Sequence, residues 1–253
     1  MARRTEGLGW IPDLPDHRDV PYAAPRGAVA ELAATVDLRP GCPPVYDQGR
    51  LADCAANTVG AAVAYGQMRQ GKPATMPSRL FVYYNERALE GTIAADSGGT
   101  IRGALKAARR YGVPPESDWP YDPALLSQKP TAAAYDDGLR NQVLAYRRLP
   151  RDLNQMRASL STGHPFAFGF SVYESFMSDE VARTGVAPMP HPSEPVVGGH
   201  CALAVGYDDA AGRFLARNSW GTGWGMAGYF TLPYAYLAQP TLSADFWTIR
   251  LVE

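Results

Sequence analysis

The sequence predicts an α+β fold with two lobes, and three observations lead to that prediction. In the first half of the chain, apolar residues recur at helical spacing. In the second half, short runs rich in β-branched and aromatic residues are separated by Gly, Asp and Pro. No internal repeat relates the two halves. Because helices come first and strands follow, the pattern favours an antiparallel sheet beside a helical lobe.

The helices of the first half begin and end at recognisable signals. The first helix is predicted to begin at residues 53–54 and to end at the stop signal "QGKP". The second begins at Ser78 and stops at Gly91. The third begins near Thr100 and stops at Gly112. The first of these helices has little charge on any face, which predicts that it is buried on most sides.

The second half is predicted to be mostly strands. A short helix over 153–160 leads into five apolar runs that read as strands: "PFAFGFSVY", "HCALAVGYD", "RFLARNSW", "GYFTLPY" and "FWTIRLVE". The segment "ATVDL", ahead of the first long helix, is predicted to be an additional strand. These runs are bounded by turn residues, as expected of an antiparallel sheet.

Composition excludes several classes of function. The 253 residues carry a formal net charge of −1, with 46% apolar and 19% charged residues, as in an ordinary globular protein. A net charge this close to zero does not indicate the excess of positive charge that attracts nucleic acid or an anionic membrane. Neither a membrane span nor a secretory signal is apparent. Three cysteines are too few for a disulfide framework, so we expect a reducing, cytoplasmic location.

Residues 1–34 form a segment of different character. They are rich in Pro, Asp and Arg, with prolines at 12, 15, 21 and 25. The segment is too short to be a domain, yet it contains Trp10 and Ile11, which need a surface to cover. We expect an extended arm laid over the body, and we expect it to restrain activity by competing with substrate as an intramolecular inhibitor.

Cys54 is placed where a nucleophile would be useful. A helix N-terminus favours the thiolate, and a histidine is usually recruited to hold the thiol proton. Of the four histidines, His200 begins an apolar strand directly after "VVGG". Asn218 ends the next strand, a spacing that suits a hairpin with the two side chains adjacent. Trp220 would then cover the bond between Asn218 and His200.

These residues resemble the papain-like cysteine peptidases. The order Gln, Cys, His, Asn matches that family, as do the segments "GGHCALAVGYD" and "NSWGTGWGMAGYF". The resemblance implies that Cys54 is the nucleophile of an acyl-enzyme and His200 its general base and then acid. It implies that Asn218 orients the imidazole. Gln48, six residues before the cysteine, would supply an oxyanion-hole donor.

The same resemblance implies an architecture and a substrate. It implies a papain-like two-lobed fold, with a helical left lobe at about 47–130 and an antiparallel, β-barrel-like right lobe at about 131–253. The active-site cleft would lie between them, within a catalytic domain spanning 35–253. Three glycines would line the cleft and bind the backbone of a peptide or protein substrate: Gly98, Gly99 and Gly199.

No cofactor or metal is expected. The cysteines and histidines lack C-x-x-C or H-x-x-x-H spacing, which argues against zinc. "GWGMAG" satisfies G-x-G-x-x-G but precedes a strand pattern, so it does not predict a dinucleotide site. "DSGG" at 96–99 opens a helix and lacks the upstream histidine motif of trypsin-like peptidases. Cys42 and Cys201 are expected to be structural thiols.

The chain departs from the family pattern near its nucleophile. Ala55 stands where the family usually has an aromatic residue, "RLAD" precedes Cys54, and the structural disulfides of secreted members are absent. The arm is also shorter than their helical pro-segment. These departures indicate a bacterial-type, non-secreted branch.

Two alternatives to hydrolysis remain open. The same acyl-enzyme could be intercepted by an amine, which would make the protein a transpeptidase or ligase, or it could serve an amidase of non-protein substrates. A papain-like scaffold could also act as a catalytically silent binding protein. The presence of all four catalytic residue types favours a cysteine peptidase over a silent scaffold.

Overall fold

The computed structural model describes residues 6–73 and 75–252. The first five residues of the predicted arm, together with residues 74 and 253, lie outside this description. The predicted boundaries at 34/35 and 130/131 stay predictions. Within the described residues, helices and an antiparallel sheet pack into the mixed architecture expected of the α+β class.

Eight α-helices are present in the described part of the chain, three of them long and buried. None has both the length and the apolar character required to cross a membrane. They are α1 (Arg26–Ala30), α2 (Cys54–Arg69), α3 (Arg79–Glu90), α4 (Ile101–Tyr111), α5 (Ala132–Gly138), α6 (Leu153–Ser161), α7 (Asp179–Thr184) and α8 (Tyr234–Ala238).

The predicted signals set the ends of the long helices. The Ser78 hydroxyl caps α3 by accepting a hydrogen bond from Phe81 N at 3.3 Å. Gly91 ends that helix with φ 77°, a conformation that glycine adopts without strain. The Thr100 hydroxyl caps α4 by accepting from Gly103 N at 2.8 Å. These contacts confirm the predicted starts of both helices.

Seven strands form one antiparallel sheet in the described residues. They are β1 (Thr35–Asp37), β2 (Val143–Arg148), β3 (Phe166–Tyr173), β4 (Val196–Asp208), β5 (Arg213–Arg217), β6 (Tyr229–Pro233) and β7 (Ser243–Val252). Their order is β2-β7-β3-β4-β5-β6, with β1 paired to β4. Among the described residues no pairing between β2 and β6 closes this sheet, so the lobe expected to be barrel-like is an open sheet.

The strand β4 separates two buried clusters. Cys201, Leu203 and Val205 belong to the cluster formed with α2, α3 and α4. Ala202 and Ala204 belong to the cluster on the opposite face of the sheet. This alternation is the period-two pattern of a strand buried on both faces. It fixes which side chains of β4 face the helix that carries Cys54.

The described part of the predicted arm is anchored to the body by partly buried carboxyl groups. Asp19 accepts from Arg102 and from Arg148, each at 2.6 Å to Oδ2. Asp13 accepts from the indole N–H of Trp247 at 2.9 Å. Charge-assisted bonds of this length are stronger than neutral ones, which gives the arm a defined path across the body.

Candidate active site

Cys54 is the first residue of α2 and is fully buried. The preceding residue, Asp53, does not cap the helix with its side chain. Its carboxyl instead forms a hydrogen bond with the Tyr121 hydroxyl at 2.8 Å, and burial raises the pKa of Asp53 to about 8. The carboxyl is therefore largely neutral at neutral pH. A neutral Asp53 does not offset the positive end of the helix dipole, which lies beside the Cys54 sulfur.

The β4–β5 hairpin brings His200 and Asn218 together. His200 Nε2 lies 2.8 Å from Asn218 Oδ1. That oxygen also accepts from the backbone N–H of Ser219 at 2.8 Å, which identifies it as the amide oxygen. Nε2 therefore carries the proton of this bond. Trp220 covers the pair, with its ring centroid 4.8 Å from that of the imidazole.

The other imidazole nitrogen is left for the sulfur. Nδ1 of His200 is buried and has no hydrogen-bond partner among the described residues. The neighbouring His200 imidazole lowers the pKa of the Cys54 thiol, through hydrogen bonding and through its charge. Since Nε2 is bound to Asn218, Nδ1 is the nitrogen that can share a proton with the sulfur. This arrangement is the one that a cysteine nucleophile requires.

The surroundings of Cys54 favour its ionised form. Burial acts to raise the pKa of Cys54, but hydrogen bonds from Cys201 and His200, the charge of His200 and the N–H of Gly9 outweigh it. As a result the pKa of Cys54 lies well below its usual value. Burial also raises the pKa of nearby Glu86 well above its usual value, which favours the neutral form of this carboxyl.

Gln48 lies beside the cysteine with its amide aimed at the arm. Its Nε2 donates to the carbonyl oxygens of Leu51 and Gly7, both at 2.8 Å. Its Oε1 accepts from the Ser219 hydroxyl, which fixes the orientation of the amide. One N–H of Gln48 therefore already binds a polypeptide carbonyl close to Cys54.

The three predicted cleft glycines all contact the arm. Gly99 donates to the carbonyl of Gly9 at 2.9 Å and accepts from the N–H of Ile11 at 3.0 Å. Gly199 accepts from the N–H of Trp10 at 3.1 Å. Gly98 has φ +73°, and a Cβ there would lie 2.3 Å from the Gly9 carbonyl oxygen. The close approach of the two backbones requires a residue without a side chain.

The Trp10 side chain fills a pocket beside the nucleophile. A Cβ on Gly169 would lie 2.0 Å from a carbon of the Trp10 indole, so the ring packs directly on that glycine. The indole N–H donates to Asp245 at 3.2 Å. Burial, followed by the charge of Asp13, raises the pKa of Asp245 to about 6. The arm thus contacts all three glycines predicted to line the cleft and packs its indole on Gly169.

Two residues near the site received no functional role in the sequence analysis. Cys201 was expected to be a structural thiol; it is fully buried in the same cluster as Cys54, and its thiol lowers the pKa of Cys54. Its position next to His200 was a signal, although neighbours on a strand point to opposite faces. Asp245 was not singled out, and no sequence motif marks it. Its φ of 58° is unusual for a residue with a side chain.

Two of the other three histidines make contacts that do not involve Cys54, His200 or Asn218. His164 Nε2 contacts the guanidinium of Arg69, at the opposite end of α2 from Cys54. His191 contacts the hydroxyl of Ser193 in a loop. Throughout the described residues, no group of three or more His, Cys, Asp and Glu side chains could hold a metal ion.

A family model for papain family cysteine proteases matches residues 33–238. The chain belongs to the papain family of cysteine proteases. An uncharacterized peptidase C1-like protein of Acanthamoeba polyphaga mimivirus is 37% identical over 273 residues, covering 98% of this chain and 88% of that protein. A cathepsin B-like protein of Giardia intestinalis is 31% identical over 226 residues, covering 83% and 73%.

Solved structures of papain-family enzymes share the fold. Xylellain, a cysteine protease from Xylella fastidiosa, is 39% identical with a TM-score of 0.92, covering 100% of this chain and 99% of that one. A digestive procathepsin L2 from Tenebrio molitor has a TM-score of 0.74 at 19% identity, covering 97% and 78%. The latter likeness supports the fold alone. The protein is therefore a cysteine peptidase with a papain-like fold.

Proposed function

We propose that this papain-family peptidase hydrolyses peptide bonds through an acyl-enzyme on Cys54. His200 holds the thiol proton on Nδ1, and the Cys54 thiolate attacks the carbonyl carbon of the scissile bond. The imidazolium then gives that proton to the leaving amine. Water, deprotonated by the same imidazole, releases the acyl group. Asn218 holds the ring in the required tautomer and orientation throughout both steps.

Gln48 stabilises the charge that develops on the carbonyl oxygen. Its Nε2 already donates to a backbone carbonyl of the arm at 2.8 Å. With the arm displaced, the same donor is free to bind the oxyanion of a tetrahedral intermediate. A donor fixed in advance by Ser219 needs no reorganisation during the reaction, so it lowers the barrier rather than merely strengthening binding.

The substrate is an extended polypeptide. This part of the proposal is supported by the arm, whose backbone pairs with Gly99 and Gly199 through three hydrogen bonds of 2.9–3.1 Å. Backbone-to-backbone bonds of this kind recognise any extended chain, and side-chain pockets add selectivity. The Trp10 pocket, with Asp245 accepting the indole N–H, supplies one such subsite for an aromatic or donor-bearing side chain.

The single observation that carries this proposal is the geometry of His200. One nitrogen is fixed by Asn218 at 2.8 Å, and the other is left for Cys54. Peptide hydrolysis by a chain whose arm is released by Trp10→Ala, with and without Cys54→Ser, tests it. Hydrolysis should be lost in Cys54→Ser while the unfolding temperature stays near that of the wild type. A folded Cys54→Ser chain that still hydrolyses peptides at a comparable rate would refute the assignment.

We also propose that the arm holds the enzyme in a latent state. The arm contacts Gln48, Cys54 and Gly99, so a substrate cannot reach them while it is docked. It also presents the N–H of Gly9 to the Cys54 sulfur. The predicted cytoplasmic location and bacterial origin remain predictions.

A further inference from the structure

The hydroxyl of Tyr121 joins the two segments that flank the nucleophile. Its oxygen lies 2.8 Å from Oδ2 of Asp53, the residue before Cys54, and 2.9 Å from the backbone carbonyl oxygen of Gln48. Asp53 and Gln48 are both fully buried, so neither group can turn to solvent for a partner. One phenol therefore contacts both the segment of the oxyanion donor and the segment of the nucleophile.

These two contacts share a single phenol proton. A hydroxyl group has one proton to donate, and its lone pairs accept. The Gln48 carbonyl can only accept, and no other donor reaches this oxygen in the described part of the chain. Because a buried carbonyl without a donor pays its full desolvation penalty, the Tyr121 proton belongs to Gln48. The short contact between Tyr121 and Asp53 then requires a proton on the carboxyl.

A second pair of a tyrosine and a carboxyl group nearby has the opposite arrangement. The Tyr83 hydroxyl lies 2.6 Å from Oδ1 of Asp96, and its other neighbour is the backbone N–H of Gly98, at 3.0 Å. Because that N–H donates to the phenol oxygen, the phenol proton is free for Asp96. Asp96 therefore needs no proton of its own, and it serves as a matched control for Asp53.

The charged groups around Asp53 do not replace that proton. The titratable and charged groups that face Asp53 lie on α2, on α3 and in the loops after α3 and α4: Cys54, Arg79, Glu86, Arg87, Asp96 and Tyr121. The guanidinium of Arg79 pairs with Glu116 at 3.1 Å, and none of the ion pairs among the described residues includes Asp53. Burial raises the pKa of Asp53 to about 8, in agreement with the proton count from the two contacts.

We propose that Asp53 and Tyr121 are positioning residues, which hold the Gln48 segment in place beside the nucleophile through two linked hydrogen bonds. Neutral Asp53 donates to Tyr121, and Tyr121 donates to the Gln48 carbonyl. When Asp53 loses its proton to solvent, Tyr121 turns its own proton to the carboxylate, and the Gln48 carbonyl loses its donor. The oxyanion donor is then misplaced, and a negative charge next to Cys54 opposes the thiolate, so kcat falls.

Infrared difference spectroscopy of the full chain locates the proton. A protonated carboxyl has a carbonyl stretch that an ionised carboxyl lacks. Subtracting the spectrum of Asp53→Asn from that of the wild type isolates the contribution of this residue. At neutral pH we expect a protonated-carboxyl band that disappears in Asp53→Asn and persists in Asp96→Asn. A band that is unchanged by Asp53→Asn would overturn the proposal.

Kinetics in chains activated by Trp10→Ala test the consequence. The side-chain amide of Asp53→Asn offers an N–H to Tyr121 at any pH, so this variant keeps the neutral arrangement. The ratio of its kcat to that of the parent cancels the titrations of Cys54 and His200, which both chains share. We expect a ratio near one at acidic pH that rises about 10-fold as the pH passes the Asp53 pKa of about 8. A flat ratio over that range would overturn the proposal.

Tyr121→Phe separates positioning from packing. The variant keeps the ring and removes the hydroxyl, so in the activated chain kcat should fall about 10-fold with little change in KM. Tyr135→Phe is the matched control, since it removes a hydroxyl that donates to Asn85 at 2.8 Å, and its kcat should stay near that of the parent. Equal losses in the two variants would overturn the positioning role. If Tyr121→Phe does not fold, the infrared band and the kcat ratio decide the question.

This inference deepens the proposed function, in which Gln48 supplies the oxyanion donor, and it rests on that function only in its effect on kcat. Hydrolysis that does not depend on Cys54 would sink the proposed function, while the infrared band would still locate the proton on Asp53. Hydrolysis that depends on Cys54, with a flat kcat ratio, would leave the proposed function standing and sink the positioning role.

Discussion

Replacing Trp10 by Ala should release the arm and activate the enzyme. The indole packs on Gly169 and donates to Asp245 at 3.2 Å. Truncating a fully buried Trp costs about 3–5 kcal/mol, and a hydrogen bond adds about 1 kcal/mol. Because Trp10 is half-buried, we expect arm docking to weaken by about 2 kcal/mol. That corresponds to roughly a 30-fold larger population of open molecules.

The assay is the rate at which iodoacetamide alkylates Cys54, followed by peptide hydrolysis. Both rates should rise about 30-fold, unless the arm is already open in a large fraction of molecules, which would cap the gain. Leu14→Ala is the matched control, since that side chain is 80% exposed on the same arm. A folded Trp10→Ala chain that is alkylated no faster than wild type would refute the latent state, as would an equal gain in Leu14→Ala.

Three further predictions concern the site and its surroundings. Gln48→Ala, in a chain activated by Trp10→Ala, should lower kcat by about 10²- to 10³-fold with little change in KM, because the donor acts on the oxyanion; a KM effect alone would contradict this role. Gly169→Ala places a Cβ 2.0 Å from the indole, so Cys54 should be alkylated faster, and an unchanged rate would mean that the ring does not occupy this pocket. Burial, followed by two neighbouring guanidinium groups, lowers the pKa of His164 from 6.5 to about 4. Its contribution to stability is therefore present above pH 6.5 and lost as the pH falls to 4; for this half-exposed ring we expect about 1 kcal/mol after solvent screening. Urea unfolding should show a smaller decline over that range in His164→Gln, whereas parallel curves would contradict the shift.

Cys54 and Asn218 lie at the ends of regular elements, where local signals in the sequence are strongest, whereas His200, expected to begin its strand, lies inside β4, which begins at Val196. Cys54 stands where a polar loop becomes an apolar helix, and the structure begins α2 at that residue. His200 and Asn218 lie on successive strands joined by a short turn, and these strands pair in the structure. Sequence signals at the ends of helices and strands are reliable because local backbone chemistry determines where these elements end.

Features set by tertiary contacts could not be read from the sequence. The strand β2 was not predicted, since "VLAYRR" is partly charged and extends only by pairing with β7. The short helices α1, α5, α7 and α8 span only one or two turns, which gives little periodicity to detect. Whether the sheet closes depends on pairing between its edge strands, and no periodicity within a single strand reports on that.

The path of the arm was predicted only in outline. Its apolar residues indicated that it covers the body, yet nothing in the sequence pairs Gly9 with Gly99 or seats Trp10 on Gly169. The burial of Cys201 in the same cluster as Cys54 is likewise a product of packing α2 against β4. A residue 147 positions away along the chain cannot be matched to the nucleophile by local pattern.

The central claim is that His200 and Cys54 share one proton, and the pH dependence of Cys54 alkylation tests it most directly. The measurement uses the Trp10→Ala chain with and without His200→Ala. With the imidazole present, we expect alkylation to persist well below the ordinary thiol pKa of about 8.5. Without the imidazole, the pH dependence of Cys54 alkylation should be that of an ordinary buried thiol. Superimposable profiles for the two folded chains would contradict the account.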